Sequence, residues 1–143
     1  MKPDTENIYQ RKINQVIDYI NANLHLPLRL DIIAGQVNVS ERQLLRIMKG
    51  ALNESLYAYV ARQRVERAVL YMHTEDMSLA DLASRVGYDN PQSFSKAFKK
   101  QFSVSPKAYM DKLRARLREE TEKWSNASVG KEIIPSGMFG TIR

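Results

Sequence analysis

Apolar residues recur at intervals of three and four positions along most of this chain, which is the spacing of amphipathic α-helices. Polar stretches, prolines and glycines separate one periodic segment from the next. No strand is needed to account for the pattern as far as Trp124. The pattern predicts an all-α fold of seven helices, over about residues 8–24, 28–37, 41–52, 55–72, 79–86, 91–102 and 106–124.

Helix start signals support these boundaries. A serine hydroxyl can accept a hydrogen bond from a backbone N–H of the first turn, and four serines precede predicted helices: Ser40, Ser55, Ser78 and Ser105. Pro91 and Pro106 fit first turns, where the N–H that proline lacks would be unpaired in any case. Gly87 marks the turn between the fifth and sixth helices.

The chain contains an internal duplication at an offset of about 50 residues. The aligned pairs are Ile33 with Leu82, Ala34 with Ala83, Val37 with Val86, Leu44 with Phe94, Ser55 with Ser105 and Tyr59 with Tyr109. Each copy is a short helix, a tight connection and a second helix, and the small alanine lets the second helix cross close to the first. The duplication predicts two helix-turn-helix units, at about 28–52 and 78–102, joined by a linker helix at about 55–72.

The second helix of such a unit can enter the major groove of DNA, so its polar face is a candidate contact surface. The faces predicted to be buried comprise Leu44, Ile47 and Met48 in the first unit and Phe94, Ala97, Phe98 and Phe102 in the second. Neither opposite face carries a carboxylate after Glu41. The candidate DNA-contacting residues are Ser40, Arg42, Gln43, Leu45, Arg46 and Lys49 in the first unit and Asn90, Gln92, Ser93, Ser95, Lys96, Lys99 and Lys100 in the second.

The charge balance favours a polyanionic partner. The net charge is +6, which places nucleic acid first and an anionic membrane surface second. The absence of cysteine excludes disulfides, thiolate zinc sites and a cysteine nucleophile, and it fits a reducing compartment. The sequence has no signal-peptide pattern and no apolar run of about twenty residues, so we expect a cytoplasmic protein with no membrane segment.

Signals for metal binding or catalysis are weak. His25 and His73 have no second metal-type ligand at useful spacing, so we expect no metal site. Asp81, Asp89 and Glu75 could be imagined as an acid–base set, but helix capping and surface placement explain each of them more simply. No phosphate-binding glycine loop or nucleophile elbow is present, so we expect neither an enzyme nor a cofactor.

With these residues in view, the chain resembles the AraC/XylS family of bacterial transcription regulators over about residues 8–117. The motifs that carry the resemblance in the second unit are Asp81-Leu82-Ala83, Val86-Gly87-Tyr88, Phe94-Ser95-Lys96-Ala97-Phe98-Lys99-Lys100 and Ser105-Pro106-Lys107-Ala108-Tyr109. The resemblance implies a DNA-binding domain of seven helices. It also implies that Arg42 and Arg46 lie in one major groove and that Gln92, Ser93 and Lys96 face a second one.

The chain departs from the family pattern at four positions. Met48 stands where the family usually has an aromatic residue, and methionine fills the same space flexibly. Asn53 and Ser103 stand where a glycine usually follows the recognition helix. Asparagine tolerates left-handed backbone and serine does so less well, which predicts a turn that is either strained or differently shaped. Leu45 stands where relatives often carry a polar residue. An exposed leucine could pack on a thymine methyl, or it could support the neighbouring helix.

The segment after Trp124 is rich in glycine and holds the short apolar runs Ile133-Ile134 and Met138-Phe139. It indicates a linker and one strand, either as a flexible tail or as the opening of a truncated domain, and we favour truncation. The run ending in Ile133-Ile134-Pro135 resembles the lead-in to a GyrI-type effector-binding domain. We therefore divide the chain into a DNA-binding domain at 8–117 and a linker or tail at 118–143.

Two classes of function follow from these patterns. The first is a sequence-specific regulator that binds double-stranded DNA, with RNA polymerase as a candidate protein partner and a small-molecule effector only if the parent protein has a further domain. The second is a basic helical interaction module that binds an acidic partner protein and shows no preference between DNA sequences.

Overall fold

The computed structural model describes residues 2–128, and this range contains seven helices and no strand. The all-α prediction is therefore confirmed. The helices are α1 (Lys2–Ala22), α2 (Leu30–Gln36), α3 (Glu41–Leu52), α4 (Leu56–Thr74), α5 (Leu79–Arg85), α6 (Pro91–Phe102) and α7 (Pro106–Ser128).

The two terminal helices are longer than the apolar pattern predicts. Helix α1 begins at Lys2 rather than near residue 8, and α7 continues to Ser128 rather than ending near Trp124. Apolar periodicity marks only the part of a helix that packs on a core, and the added residues, 2–7 and 125–128, carry no large apolar side chain that could signal them. The predicted strand and domain lead-in lie at 129–143, outside the described residues.

The first hydrophobic core forms where α1, α2, α3 and the start of α4 meet. Its buried residues are Val16, Ile20, Leu24, Ile33, Ala34, Val37, Leu44, Met48, Leu56, Tyr59 and Val60. The small side chain of Ala34 allows α3 to pack closely over α2, as the sequence pattern predicts. This core holds the first helix-turn-helix unit together.

The second core joins the later part of α4 to α5 and α6. Its buried residues are Val65, Ala68, Leu82, Ala83, Val86, Phe94 and Phe98. The ring of Phe98 lies in edge-to-face contact with Phe94, at 5.8 Å between centroids, and with Tyr109 of α7, at 5.7 Å. The prediction that Phe102 is buried is wrong. Phe102 is 37% exposed, because it is the last residue of α6 and its ring packs at the edge of the core against Phe98, with the centroids 4.8 Å apart.

Helix α4 is shared between the two cores. Leu56 and Val60 face the first core, and Val65 and Ala68 face the second. The helix has 19 residues, so it is about 28 Å long at a rise of 1.5 Å per residue. A single continuous helix thus connects the two helix-turn-helix units, as predicted. Within residues 2–128, no helix is long and apolar enough to cross a membrane.

Candidate nucleic-acid interface

The first turn of α3 is fixed by a capping box. The Ser40 hydroxyl accepts a hydrogen bond from the backbone N–H of Gln43 at 3.1 Å, and the Gln43 side-chain Oε1 accepts one from the backbone N–H of Ser40 at 3.0 Å. Both residues are predicted DNA contacts, and both are exposed at the end of the helix. Their side-chain oxygens stabilise the start of α3, and the Gln43 amide nitrogen is a further donor group on this exposed side chain.

The exposed face of α3 carries three cations. Arg42, Arg46 and Lys49 are all exposed, while Leu44 and Met48 on the opposite face are 2% and 0% exposed. This arrangement follows from the strong separation of polar and apolar positions around the helix. The three cations therefore form one surface that is free of carboxylates.

Leu45 does not belong to that surface. It is partly buried and packs against the first core, beside the apolar stripe of α3. The sequence left open whether Leu45 is exposed toward DNA or supports the neighbouring helix, and the observed packing matches the second alternative. A leucine one position after Leu44 lies at the flank of the buried stripe, since successive helical residues are turned by only about 100°.

Helix α6 presents a similar surface. Asn90 caps it, with its side-chain Oδ1 accepting a hydrogen bond from the backbone N–H of Ser93 at 2.8 Å, and Pro91 occupies the first turn. Ser95 is partly buried beside the second core. The remaining predicted contact residues of α6 are exposed, namely Gln92, Ser93, Lys96, Lys99 and Lys100.

The cations on the two faces are available for an external anion. The ion pairs in the described part of the chain involve Arg29, Arg62, Arg85, Lys107 and Arg114. Among the described residues, none of the cations on α3 or α6 is in an ion pair. Unpaired exposed cations suit phosphate contacts, because no internal partner has to be displaced.

Both recognition helices end in left-handed backbone. Asn53 has a φ of 58° and Ser103 a φ of 63°, and their N–H groups donate to the carbonyls of Lys49 and Lys99 at 2.9 and 2.8 Å. The missing glycines therefore do not change the type of turn. The left-handed backbone costs conformational free energy at these two residues because each has a side chain, whereas glycine enters this region freely.

Two arginines of α4 that the apolar pattern did not single out lie between the halves of the molecule. Arg64 and Arg67 are partly buried, and their side chains donate to backbone carbonyls at the end of α1. In the sequence, both arginines lie among the core positions Val60, Val65 and Ala68, where a solvated charge is not expected. This placement is the signal that could have singled them out.

The described residues show no constellation for metal binding. No group of three or more His, Cys, Asp or Glu side chains comes together between residues 2 and 128. His73, one of the two histidines weighed as a ligand, is instead hydrogen bonded through Nε2 to the Tyr109 hydroxyl at 2.8 Å. This contact ties the end of α4 to α7.

Comparison with known proteins identifies the same unit. A helix-turn-helix domain family matches residues 33–112, more than half of the chain. Among curated proteins, the chain is similar to the putative HTH-type transcriptional regulator YkgA of Escherichia coli K12, at 30% identity over 106 residues that cover 74% of this chain and 44% of YkgA. It is also similar to the regulatory protein SoxS of the same organism, at 28% identity over 105 residues that cover 73% of this chain and 98% of SoxS.

A solved structure gives the same picture. The DNA-binding domain of AdpA, a global transcriptional factor in complex with a target DNA, superposes with a TM-score of 0.69 at 26% identity, covering 73% of this chain and 94% of that one. The chain spans less than half the length of YkgA and nearly all of SoxS. With its duplicated unit, its shared linker helix and these matches, the chain belongs to the AraC/XylS family of helix-turn-helix transcription regulators.

Proposed function

We propose that this protein regulates transcription by binding a specific DNA sequence with α3 and α6 in successive major grooves. The observation that carries the proposal is the pair of exposed cationic faces on duplicated helices. Neither face has a carboxylate after Glu41 in the first turn of α3, and both are supported by the same linker helix. One isolated basic face is often only solvated. Two such faces at equivalent positions of a duplicated unit indicate a common ligand with a repeating structure.

The length of the linker helix suits this ligand. Helix α4 spans about 28 Å, and successive major grooves on one side of a duplex are about 34 Å apart. The ends of α4 support the two units, and the recognition helices extend the reach further. One chain is therefore long enough to contact both grooves.

The proposed roles of the side chains differ along each helix. Arg42, Arg46, Gln92 and Lys96 occupy the N-terminal and middle turns, which enter a groove most deeply and reach base edges. Lys49, Lys99 and Lys100 lie in the last turns, where contact with phosphates positions the helix without reading sequence. The N-terminal ends of the two helices favour a phosphate through the helix dipole. The side chains there are Ser40, Gln43, Asn90 and Ser93, and we assign them contacts at these ends.

The domain boundaries and partners belong to the same proposal. We assign the DNA-binding domain to residues 8–117 and a linker or tail, or the start of a truncated domain, to 118–143; α7 crosses this boundary and continues to Ser128. RNA polymerase is the protein partner that a regulator bound at a promoter would meet, and the cytoplasm is where a bacterial regulator meets DNA. A small-molecule effector enters only if the parent protein carries a further domain.

One of the two observations behind the interaction-module alternative, an exposed Leu45, does not hold in the structure. The alternative was based on the basic charge and on an exposed Leu45, and Leu45 packs against the first core. Only the charge remains, and charge alone does not distinguish an acidic protein from DNA.

Selection of bound sequences from a random duplex library tests the proposal. We expect a bipartite site whose two short boxes are centred about one helical turn apart, at near-physiological salt so that non-specific phosphate binding is suppressed. Binding that stays salt-sensitive but enriches no sequence would contradict it and favour the acidic-partner alternative.

Side-chain substitutions then assign the two helices. Arg46→Ala and Lys96→Ala should each weaken binding to the selected site by about 1 to 3 kcal/mol, through the box that faces the changed helix. Arg116→Ala removes the same charge from an exposed position on α7 and is the matched control. Equal affinities for all three variants would show that α3 and α6 do not read the site.

A further inference from the structure

The end of α1 is held by an arginine of the linker helix. Arg64 donates from Nε to the Leu24 carbonyl at 3.0 Å and from Nη2 to the Leu26 carbonyl at 2.8 Å. Arg67, one turn later, donates from Nη2 to the Asn21 carbonyl at 3.1 Å. These carbonyls lie at the C-terminal end of α1 and in the turn that follows it. Helix α4 is therefore bound to the first unit by way of α1, which is distant from α4 in sequence.

The Arg64 guanidinium also contacts the second unit. Its Cζ lies 5.7 Å from the centre of the Tyr88 ring, which packs on the second core. The preceding residue, Gly87, has a φ of 99°, and a Cβ added there would lie 2.2 Å from the Leu24 carbonyl oxygen and 2.9 Å from Arg64 Nε. The turn of the second unit therefore touches the turn after α1, with the Arg64 side chain packed between them.

The chemistry of this contact favours arginine in particular. Burial lowers the pKa of the Arg64 guanidinium from its ordinary value, yet arginine remains charged in proteins and needs acceptors when partly buried. A planar guanidinium donates to two carbonyls at once while its face stacks on an aromatic ring. The ammonium group of a lysine cannot reproduce that geometry.

We propose that Arg64 is a positioning residue that fixes the orientation of the second helix-turn-helix unit relative to the first and thereby sets the spacing of the DNA boxes. The proposal rests on the proposed function. Without the Arg64 contact, the two units would be linked mainly through α4, and a lone helix can bend and twist. With it, the end of α1, the middle of α4 and the Gly87 turn form three points of one rigid frame.

Box spacing is a sensitive readout of that frame. Adding one base pair moves a box by about 3.4 Å and turns it by about 35° around the duplex, since there are 10 to 10.5 base pairs per turn. A rigid two-headed protein loses one set of contacts when this happens. A protein whose heads are loosely connected follows the displaced box and keeps most of its affinity.

The first experiment measures, without DNA, how rigidly the two units are held relative to each other. The chain has no cysteine, so Ala51→Cys on α3 and Ala80→Cys on α5, both exposed positions, accept a pair of spin labels in the full chain. We expect a narrow distribution of label-to-label distances that becomes at least about twofold broader with Arg64→Met, which keeps the apolar stem but removes the donors. An unchanged width in a variant that keeps its helical circular dichroism would overturn the proposal, whatever the DNA specificity proves to be.

The second experiment measures affinity for duplexes in which the selected boxes are moved apart or together by one base pair. We expect the unchanged protein to discriminate against these duplexes by about tenfold or more, and both Arg64→Met and Arg64→Lys to reduce that ratio to about threefold or less. Binding to a duplex with a single box should stay within about twofold. If Arg64→Lys restores full discrimination, the charge and not the two-carbonyl geometry matters, and the assigned role is wrong.

Arg62→Met is the matched control. Arg62 lies on the same helix and carries the same charge, but its partners are Glu54, Glu66 and the Tyr59 ring, not the end of α1. We expect its distance distribution and its spacing ratio to match those of the unchanged protein. A loss of discrimination as large as that of Arg64→Met would attribute the effect to general destabilisation and would overturn the proposal.

Discussion

At the scale of single residues, the C-caps of the two recognition helices differ in cost. Ser103 and Asn53 share almost the same left-handed backbone, which is unfavourable for most side chains by about 1 to 2 kcal/mol but is better tolerated by asparagine. We expect Ser103→Gly to raise the free energy of unfolding by about 0.5 to 1 kcal/mol after allowing for the greater backbone entropy of glycine in the unfolded chain. Urea denaturation measures the change.

Asn53→Gly is the comparison for that substitution. It removes a side chain from an equivalent turn with less strain, so its gain should be smaller than that of Ser103→Gly. A larger gain at residue 53 would mean that the αL conformation is not the source of the difference.

Tyr88 presents a second case at this scale, because its hydroxyl is buried without a hydrogen-bond partner in the part of the chain that the structure describes. A desolvated polar group without a partner is costly, so Tyr88→Phe should raise the free energy of unfolding by about 1 kcal/mol at pH 7. Urea denaturation at pH 7 and at pH 10.5 measures both this gain and its dependence on pH.

The pH dependence has a definite sign. Burial raises the pKa of Tyr88, and the nearby Arg64 only partly offsets this effect. The unfolded tyrosine therefore ionises first, at a pH of about 10, and the stability of the unchanged protein falls as the pH rises through the folded pKa. The advantage of the phenylalanine variant should be larger at pH 10.5 than at pH 7. An advantage that shrinks with pH would show that the hydroxyl is favourably paired in its ionised form.

At the scale of secondary-structure elements, the capping box of α3 fixes the turn that holds Arg42, the first side chain proposed to reach a base. Ser40→Ala removes the hydroxyl that accepts from Gln43 and should lower the free energy of unfolding by about 1 kcal/mol. We also expect faster amide hydrogen exchange in the first turn of α3, near Arg42, than in the unchanged protein. Hydrogen-exchange NMR resolves this turn from the rest.

The matched substitution for this element is Asn90→Ala, which removes the corresponding cap of α6. Its exchange effect should appear at the start of α6 and not at α3. Equal acceleration at both helices in either variant would show that the caps act through global unfolding rather than locally.

The elements themselves were largely predictable from the sequence, and the exceptions have physical causes. Helices α3 and α6 begin where the Ser40 and Pro91 signals place them, because these signals act locally. The burial of Leu45 and the exposure of Phe102 were not predictable, because both lie at the edges of apolar stripes. Which edge is covered depends on the neighbouring helix, and periodicity carries no information about that neighbour.

At the scale of the whole molecule, the two exposed basic faces of α3 and α6 could be predicted because the duplication repeats them. The contact between Arg64 and the Leu24 carbonyl, which relates the two units, could not be predicted from the sequence. Arg64 and Leu24 are far apart in sequence, and Leu24 lies before the first aligned pair of the duplication. A long-range contact made by a side chain to a backbone carbonyl leaves no periodic trace, so its discovery required the folded arrangement.

Helix α4 contributes buried side chains to both cores, and this has a consequence for how the molecule can be divided. A fragment that keeps the first core and all of α4 exposes Val65 and Ala68, and a fragment that begins at α5 has lost part of its own interior. The two units are copies in sequence, yet neither carries a complete set of core residues. Recombination that exchanges one unit for another must therefore join the chains within α4, between residues 60 and 65, where one interior ends and the next begins.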